Sequence, residues 1–337
     1  GLFSALALLT KSASLFLLPL FLSLLFLFVL IKKSDIAKYL SGLTWVIIYS
    51  LIFFVLVWPA MWVNPSHTLW LYFYKGIFDT AIEEGHRHLW FGVETMNPGF
   101  WFYPVVLVGR YTILVVVGTI LGIILASYRI IKTKLNFSEL DRNTRFALIN
   151  IIFFVGFFAM LSLTAKKLDR YTIPMFFPMA VLTVYAIDSF QKRFGKMVLI
   201  FVTIILLSRL ILLAWIHPNY FVYYSPLIGG MDKGRQIIEP KWVIGFNDVA
   251  AFLNEINRNS ESRIHVVSPD SHILSYFADF DTIYPDNIEA PRKGQYFVVP
   301  TWKAEGQRMI SLFSLTDDML IKTIKIAGVE YYDIYKK

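Results

Sequence analysis

The sequence has no cysteine, and little charge: Asp, Glu, Lys and Arg make up 17% of its 337 residues, where a soluble domain carries about 25%. The missing Cys excludes a disulfide scaffold and a thiol enzyme. The C-terminal region has no Gly-rich phosphate loop and no metal-spaced cluster, and no internal repeat is visible in the chain. What fills the space is apolar. Hydrophobic residues reach 56%, with 30 Phe among them, and the mean hydropathy is +0.57. Such a composition excludes a disordered chain and argues against an ordinary soluble enzyme.

The net charge is +8, so its location matters more than its sum. Residues 1–216 hold 19 basic and 9 acidic residues; residues 217–337 hold 13 and 15. Charged residues number 28 in each part, although the first is nearly twice as long. This shift marks a boundary between a membrane-embedded region (1–216) and a soluble region (217–337), in line with the length prior for about two domains.

A membrane span needs about 20 mostly apolar residues. Six stretches qualify: 14–31, 42–62, 104–128, 146–164, 172–190 and 197–216. The first ten residues read as the end of another span. The chain starts with Gly in mid-helix and is read as the latter part of a longer protein; a cleaved signal peptide is the rival reading. Basic loops set orientation. Lys32, Lys33 and Lys38, then Arg129, Lys132, Lys134, Arg142 and Arg145, then Lys192, Arg193 and Lys196 all fall on one side, the cytoplasm. These eleven are topology signals beside an anionic leaflet and imply no nucleic-acid partner. The acidic loop 63–103, the turn 165–171 and the whole C-terminal region face outward. The expected fold class is therefore a polytopic α-helical membrane protein with a small extracytoplasmic α/β domain, integral to a plasma membrane.

In the C-terminal region, 242–257 has helical spacing, with Asn247 or Asp248 as its start. Strands are expected at 263–268, 295–300 and 331–335, with 310–315 and 320–326 as further candidates. His265 and His272 are read as structural or surface residues. Asp270, Asp279, Asp281 and Asp286 are read as a solvated loop.

Charges at membrane depth or at its edge are costly and mark function. Lys11 lies between two apolar runs on the outer side; the alternative is a snorkelling helix-end lysine. The turn AKKLDRY places Lys166, Lys167 and Arg170 with Asp169 on the outer face, where topology rules do not ask for cations. A lipid phosphate is the natural partner, since Arg and Lys clamp phosphate oxygens; the alternative is a fixed salt-bridge cluster. The outer loop gathers Glu83, Glu84, His86 and His88. Carboxylate plus imidazole fits a divalent metal or an acid–base pair, so Glu84 and His86 are the candidate metal ligands. The spacing is not a specific zinc signature. The loop's aromatics fit an interfacial belt or sugar-stacking platforms. Arg110 is expected about two turns inside the third span, facing the protein interior, with Tyr103 at its mouth; Arg209 is similar in the sixth.

GLFSALALLTK, WPAMWVNP, EEGHRHLWFG, PGFWFYP and KLDRYTIP, in this order, resemble the GT-C glycosyltransferases. More narrowly, they resemble bacterial members of the protein-mannosyltransferase and aminoarabinose-transferase group, the family 39 type. HPNYFVYYSPLIGG and the following helix resemble members with a C-terminal extracytoplasmic domain. The resemblance implies a GT-C-like helix bundle in a bacterial plasma membrane. Its activity would be inverting transfer of a sugar from a polyprenyl-phosphate donor to a protein, lipid or glycan acceptor outside the cytoplasm. It implies a catalytic carboxylate in a first outer loop, expected upstream of residue 1, so no catalytic residue is assigned within the chain. It assigns Lys11, and Arg170 and Tyr171 with Lys166 or Lys167, to the lipid phosphate, and His86 to donor or metal binding. Gly85 stands where that motif has Glu, which leaves Glu84 as the substitute. Tyr103 and Arg110 join Glu84 and His86 as donor or acid–base candidates. Two other classes compete. A transporter or flippase asks for inverted repeats and ionisable groups at mid-membrane. An anchored envelope-assembly protein would need far fewer than six spans.

Overall fold

The computed structural model describes residues 1–32, 36–79, 88–134, 136, 139–164, 166–240, 243–288, 293–302 and 304–337. Lys33, Glu83, Glu84, Gly85, His86, Arg87, Ala165 and Trp242 lie outside the described residues. The protein is mostly helical. Among the described residues five helices are long and apolar enough to cross a membrane: Ile36–Val57, Ile113–Lys132, Arg142–Leu163, Asp169–Phe194 and Lys196–Ile216. They correspond to the last five expected spans; the first is the shorter helix Leu17–Lys32. The chain divides into two compact units. One comprises Gly1–His86, Met96–Leu107 and Tyr111–Val202; the other comprises Arg87–Thr95, Val108–Arg110 and Thr203–Lys337.

In the first unit, three helices form the tightest packing. Ile113–Lys132 carries Gly118 and Gly122, four residues apart on one face, against Phe176–Phe194. A Cβ on Gly122 would stand 2.3 Å from the Leu182 carbonyl oxygen, and one on Gly118 2.5 Å from Thr183 Cγ2. Small residues at this spacing let two backbones approach closely, the packing on which membrane helices rely where lipid removes the hydrophobic drive. Close approach brings hydroxyls to carbonyls across the seam. Thr119 Oγ1 donates to Met179 O at 3.2 Å, and Thr183 Oγ1 to Val115 O at 3.2 Å.

Arg129, expected from the sequence as a topology signal, also packs the helices. Its guanidinium donates to Thr144 Oγ1 and Ser189 Oγ, lies 3.6 Å from Asp141, and sits over the Tyr185 ring. It thereby ties three helices together. Asp141 caps Arg142–Leu163, accepting from the Asn143 and Thr144 N–H groups at 3.2 Å each. Burial pushes its carboxyl up, but the Thr144 hydroxyl and N–H, the Arg129 charge and the Asn143 N–H together hold it below the usual range. A lowered folded-state pKa contributes stability above the unfolded value, lost as pH falls through the folded one. Asp141→Ala should therefore cost about 1 kcal/mol at neutral pH. The gap to wild type should close below about pH 4, as thermal unfolding at several pH values would show; a pH-independent gap would contradict the cap.

The third expected span is interrupted. Tyr111 is extended at φ −98°, ψ 156°, and Thr112 caps a new helix by accepting from Val115 N–H. Phe102–Arg110 is thus a separate short helix. Arg110 lies in its last turn, not two turns inside a span. The fifth span opens with a 3-10 segment, Asp169–Met175, that contains Pro174.

The second unit contains a five-stranded sheet and a hairpin. The hairpin pairs β1 (His88–Trp90) with β2 (Val93–Thr95). The sheet has β3 (His265–Val267), β4 (Asp281–Ile283), β5 (Tyr296–Pro300), β6 (Leu320–Ile326) and β7 (Val329–Lys336) in the order β4-β3-β5-β7-β6. β3 runs parallel to β4 and β5; β7 runs antiparallel to β5 and β6. All five residues of β5 are buried, as its continuous apolar run requires of a central strand covered on both faces. Tyr296 and Val298 join one core; Phe297 and Val299 join the other. The helix expected over 242–257 runs Phe246–Arg258. It starts at Gly245, whose φ of +88° suits glycine, and not at Asn247 or Asp248. Phe246, Val249, Ala250 and Leu253 form its buried stripe. Residues 310–315 are not a strand: Ala304–Leu312 is a helix, packed so close to β5 that a Cβ on Gly306 would stand 2.0 Å from Pro300 O. Asp281 belongs to β4 and pairs with Arg263 at 3.1 Å and with His265 at 3.5 Å.

Candidate functional site

The turn between Arg142–Leu163 and Asp169–Met175 is built from its own cations. A helix leaves its last four carbonyls without partners. Here Thr164 Oγ1 donates to Leu161 O at 2.9 Å, and the Lys167 ammonium donates to Ser162 O at 2.7 Å and Leu161 O at 3.3 Å. Lys167 is only 3% exposed, and its Nζ lies 5.3 Å from the centre of the Tyr103 ring. Burial lowers its pKa. Tyr103 is fully buried, and burial raises its phenol well above the ordinary value. Lys167 and Tyr103 are therefore internal parts of the turn. Lys167 does not stand with the exposed cations, as the resemblance allowed.

The next residues turn outward. Asp169 Oδ1 accepts from the Arg170 N–H at 2.8 Å, and Thr172 Oγ1 donates to Asp169 O at 2.8 Å. Tyr111 Oη donates to Thr172 O at 2.7 Å, pinning the start of the 3-10 segment. Arg170 is exposed; Lys166 and Tyr171 are half-buried. Lys11, at the extended link after Leu2–Thr10, reaches over this turn from a distant part of the sequence. Its Nζ lies 4.5 Å above the Tyr171 ring. Partial burial, then the Arg170 charge, lowers its pKa. Lys11 thus forms one cationic surface with Arg170 and Tyr171, which lie more than 150 positions further along the chain.

An apolar groove of about 820 Å³ runs between Leu17–Lys32 and Arg142–Leu163. Leu15, Phe16, Leu20, Val155, Ala159 and Leu163 are among its walls. Phe16 closes one part of it, edge-on to Phe153 at 5.5 Å and Phe157 at 5.3 Å. Leu15 lies four residues after Lys11, and Leu163 three before Lys166. Two of its walls thus lie within one turn or so of chain from the cations. Nothing in the sequence announced the groove. Its walls are ordinary aliphatic residues, and only the divergence of two helices creates it.

The remaining candidates separate. Arg110 donates to Phe221 O at 3.0 Å and Tyr223 O at 3.2 Å, and its guanidinium lies 4.1 Å from the Tyr224 ring centre. Beside it Ser225 N–H donates to Gly109 O at 2.7 Å. Arg110 is a clamp on the 221–225 segment. Arg209 influences the Tyr223 hydroxyl of the same segment. Glu84 and His86, with the metal or acid–base role expected of them, lie outside the described residues. Among the described residues no group of three or more His, Asp or Glu is placed to hold a metal. The aromatics of residues 63–103 divide. Trp70, Tyr74 and Phe78 are exposed and stacked, at 5.4 and 6.1 Å, whereas Phe102 and Tyr103 are buried.

No family model matches the chain, and no curated protein or solved structure matches it.

Proposed function

We propose that the protein is a membrane glycosyltransferase of GT-C type that transfers a sugar from a polyprenyl-phosphate donor to an acceptor outside the cytoplasm. Two observations carry this reading: an apolar groove whose walls include Leu15 and Leu163, close in the chain to Lys11 and Lys166, and the cationic surface that Lys11 forms with Arg170 at the Tyr171 ring. A polyprenyl phosphate has the same two parts: a long apolar chain and a compact anionic head. In the proposed reaction the bond from sugar C1 to the donor phosphate oxygen breaks as an acceptor oxygen attacks C1 from the opposite face. The acceptor proton passes to a carboxylate base, which the chain's described residues do not identify. Polyprenyl phosphate leaves with the bonding electrons, and its growing negative charge needs fixed cations. Arg170 meets that need as a planar donor, and Lys11 as a point charge. The C-terminal sheet unit then lies on the outer face, following the basic-loop orientation.

The test is a donor-consumption assay. Membranes enriched in the full chain would be given polyprenyl-phosphate-linked sugars together with a host membrane extract as acceptor source. The reading expects release of free polyprenyl phosphate matched by sugar appearing on a new molecule. Donor that stays intact, or that merely crosses the bilayer unchanged, contradicts it; the second result would favour a flippase.

A further inference from the structure

Lys167 is buried, yet it lies three residues before Arg170 in the same turn. Arg142–Leu163 is 22 residues long, and its carbonyl end is directed at the turn that carries Lys166 and Arg170. The aligned peptides of such a helix place about half a negative charge at that end. Unopposed, it would repel any anion held by Arg170 and Lys11. The Lys167 ammonium is bonded to two of those carbonyls, at 2.7 and 3.3 Å. Resting on the donor reading given above, we infer that Lys167 is a positioning residue: its buried charge cancels the helix C-terminus, so that the turn presents net positive potential to an anionic head group it does not itself contact.

A purely mechanical cap and a charge-cancelling one make different predictions. Lys167→Gln keeps an N–H donor for the carbonyls but removes the charge; Lys167→Arg keeps both. The probes are undecaprenyl phosphate and undecaprenol, which share a chain and differ in the anion, binding to the full chain in detergent. Wild type should bind the phosphate more tightly than the alcohol. Lys167→Gln should weaken phosphate binding about tenfold, the size expected of one charge acting across a partly buried distance, while alcohol binding stays within about twofold. Lys167→Arg should restore the phosphate preference. If Lys167→Gln keeps that preference in full, or weakens both lipids equally, the inference is overturned. If wild type itself shows no preference for the phosphate, the donor reading fails first, and this is seen before any variant is measured.

Discussion

If the protein is the proposed glycosyltransferase, Arg170→Ala should lower transfer from a polyprenyl-phosphate-linked sugar by about 10²–10³-fold, the loss that follows removal of one preorganised donor from a developing anion. The protein should still insert and fold, because Arg170 is exposed and several bonds that hold the turn come from other residues. Those are Lys167 to the Leu161 and Ser162 carbonyls, Thr172 to Asp169, and Tyr111 to Thr172. The loss should fall mainly on kcat, since charge on the leaving phosphate grows as the glycosidic bond breaks. Arg170→Lys should recover only part of it, because a point charge replaces a planar fork. Lys11→Ala should cost less. Its ammonium is shared with the Tyr171 ring, and it is opposed by the very Arg170 charge it accompanies. Transfer by Arg170→Ala at wild-type rates, with insertion intact, would remove the clamp from the account.

Gly122→Leu should destabilise the helical unit by about 3 kcal/mol or prevent it from folding, at the upper end of what overpacking costs. The reason lies in what a side chain would meet. At Gly122 it is the Leu182 backbone, at 2.3 Å, which cannot rotate away. At Gly118 it is the Thr183 side chain, so Gly118→Ala should be milder, with loss of the Thr183 bonds to Met179 and Val115 as its main cost. Gly42 provides the control: nothing lies within 4 Å of where its Cβ would be, and Gly42→Leu should be neutral or stabilising by helix propensity. Thermal unfolding in detergent micelles would rank the three. Equal stability of Gly122→Leu and wild type would show that Ile113–Lys132 and Phe176–Phe194 do not pack through this seam.

What could be read before the structure, and what could not, follows from the range of each interaction. Long apolar runs declare themselves, because a span's length is set by the bilayer and not by neighbours. The last five expected spans match the helices now seen. Their ends were less legible. The break at Tyr111–Thr112 depends on one Thr hydroxyl and one extended residue, a local signal hidden inside an apolar stretch. This misplaced Arg110, whose partners lie about 111 positions along the chain. β5 and the stripe of Phe246–Arg258 followed from periodicity. The three-residue strands β1, β2 and β4 are too short for any period to show. Within the site, the cations of the turn stood out because they break the charge rule for an outer face. That Lys167 turns inward while Arg170 turns outward did not, since neighbours in a turn diverge according to packing alone. The pairing of Lys11 with Tyr171 is likewise a tertiary contact, for which only the resemblance supplied a hint.

The central claim is that one anionic lipid lies with its chain between Leu17–Lys32 and Arg142–Leu163 and its phosphate at Lys11 and Arg170. The most direct measurement is photo-crosslinking with an undecaprenyl phosphate that carries a diazirine in its first isoprene units, followed by peptide mapping of the full chain. The account predicts labels on groove-wall residues, Leu15, Ala159 and Leu163 foremost, with labelling sharply reduced in Arg170→Ala and competed by undecaprenyl phosphate but not by undecaprenol. Labels spread over the lipid-facing surfaces of Lys196–Ile216 and Ile36–Val57, unchanged by Arg170→Ala, would contradict it.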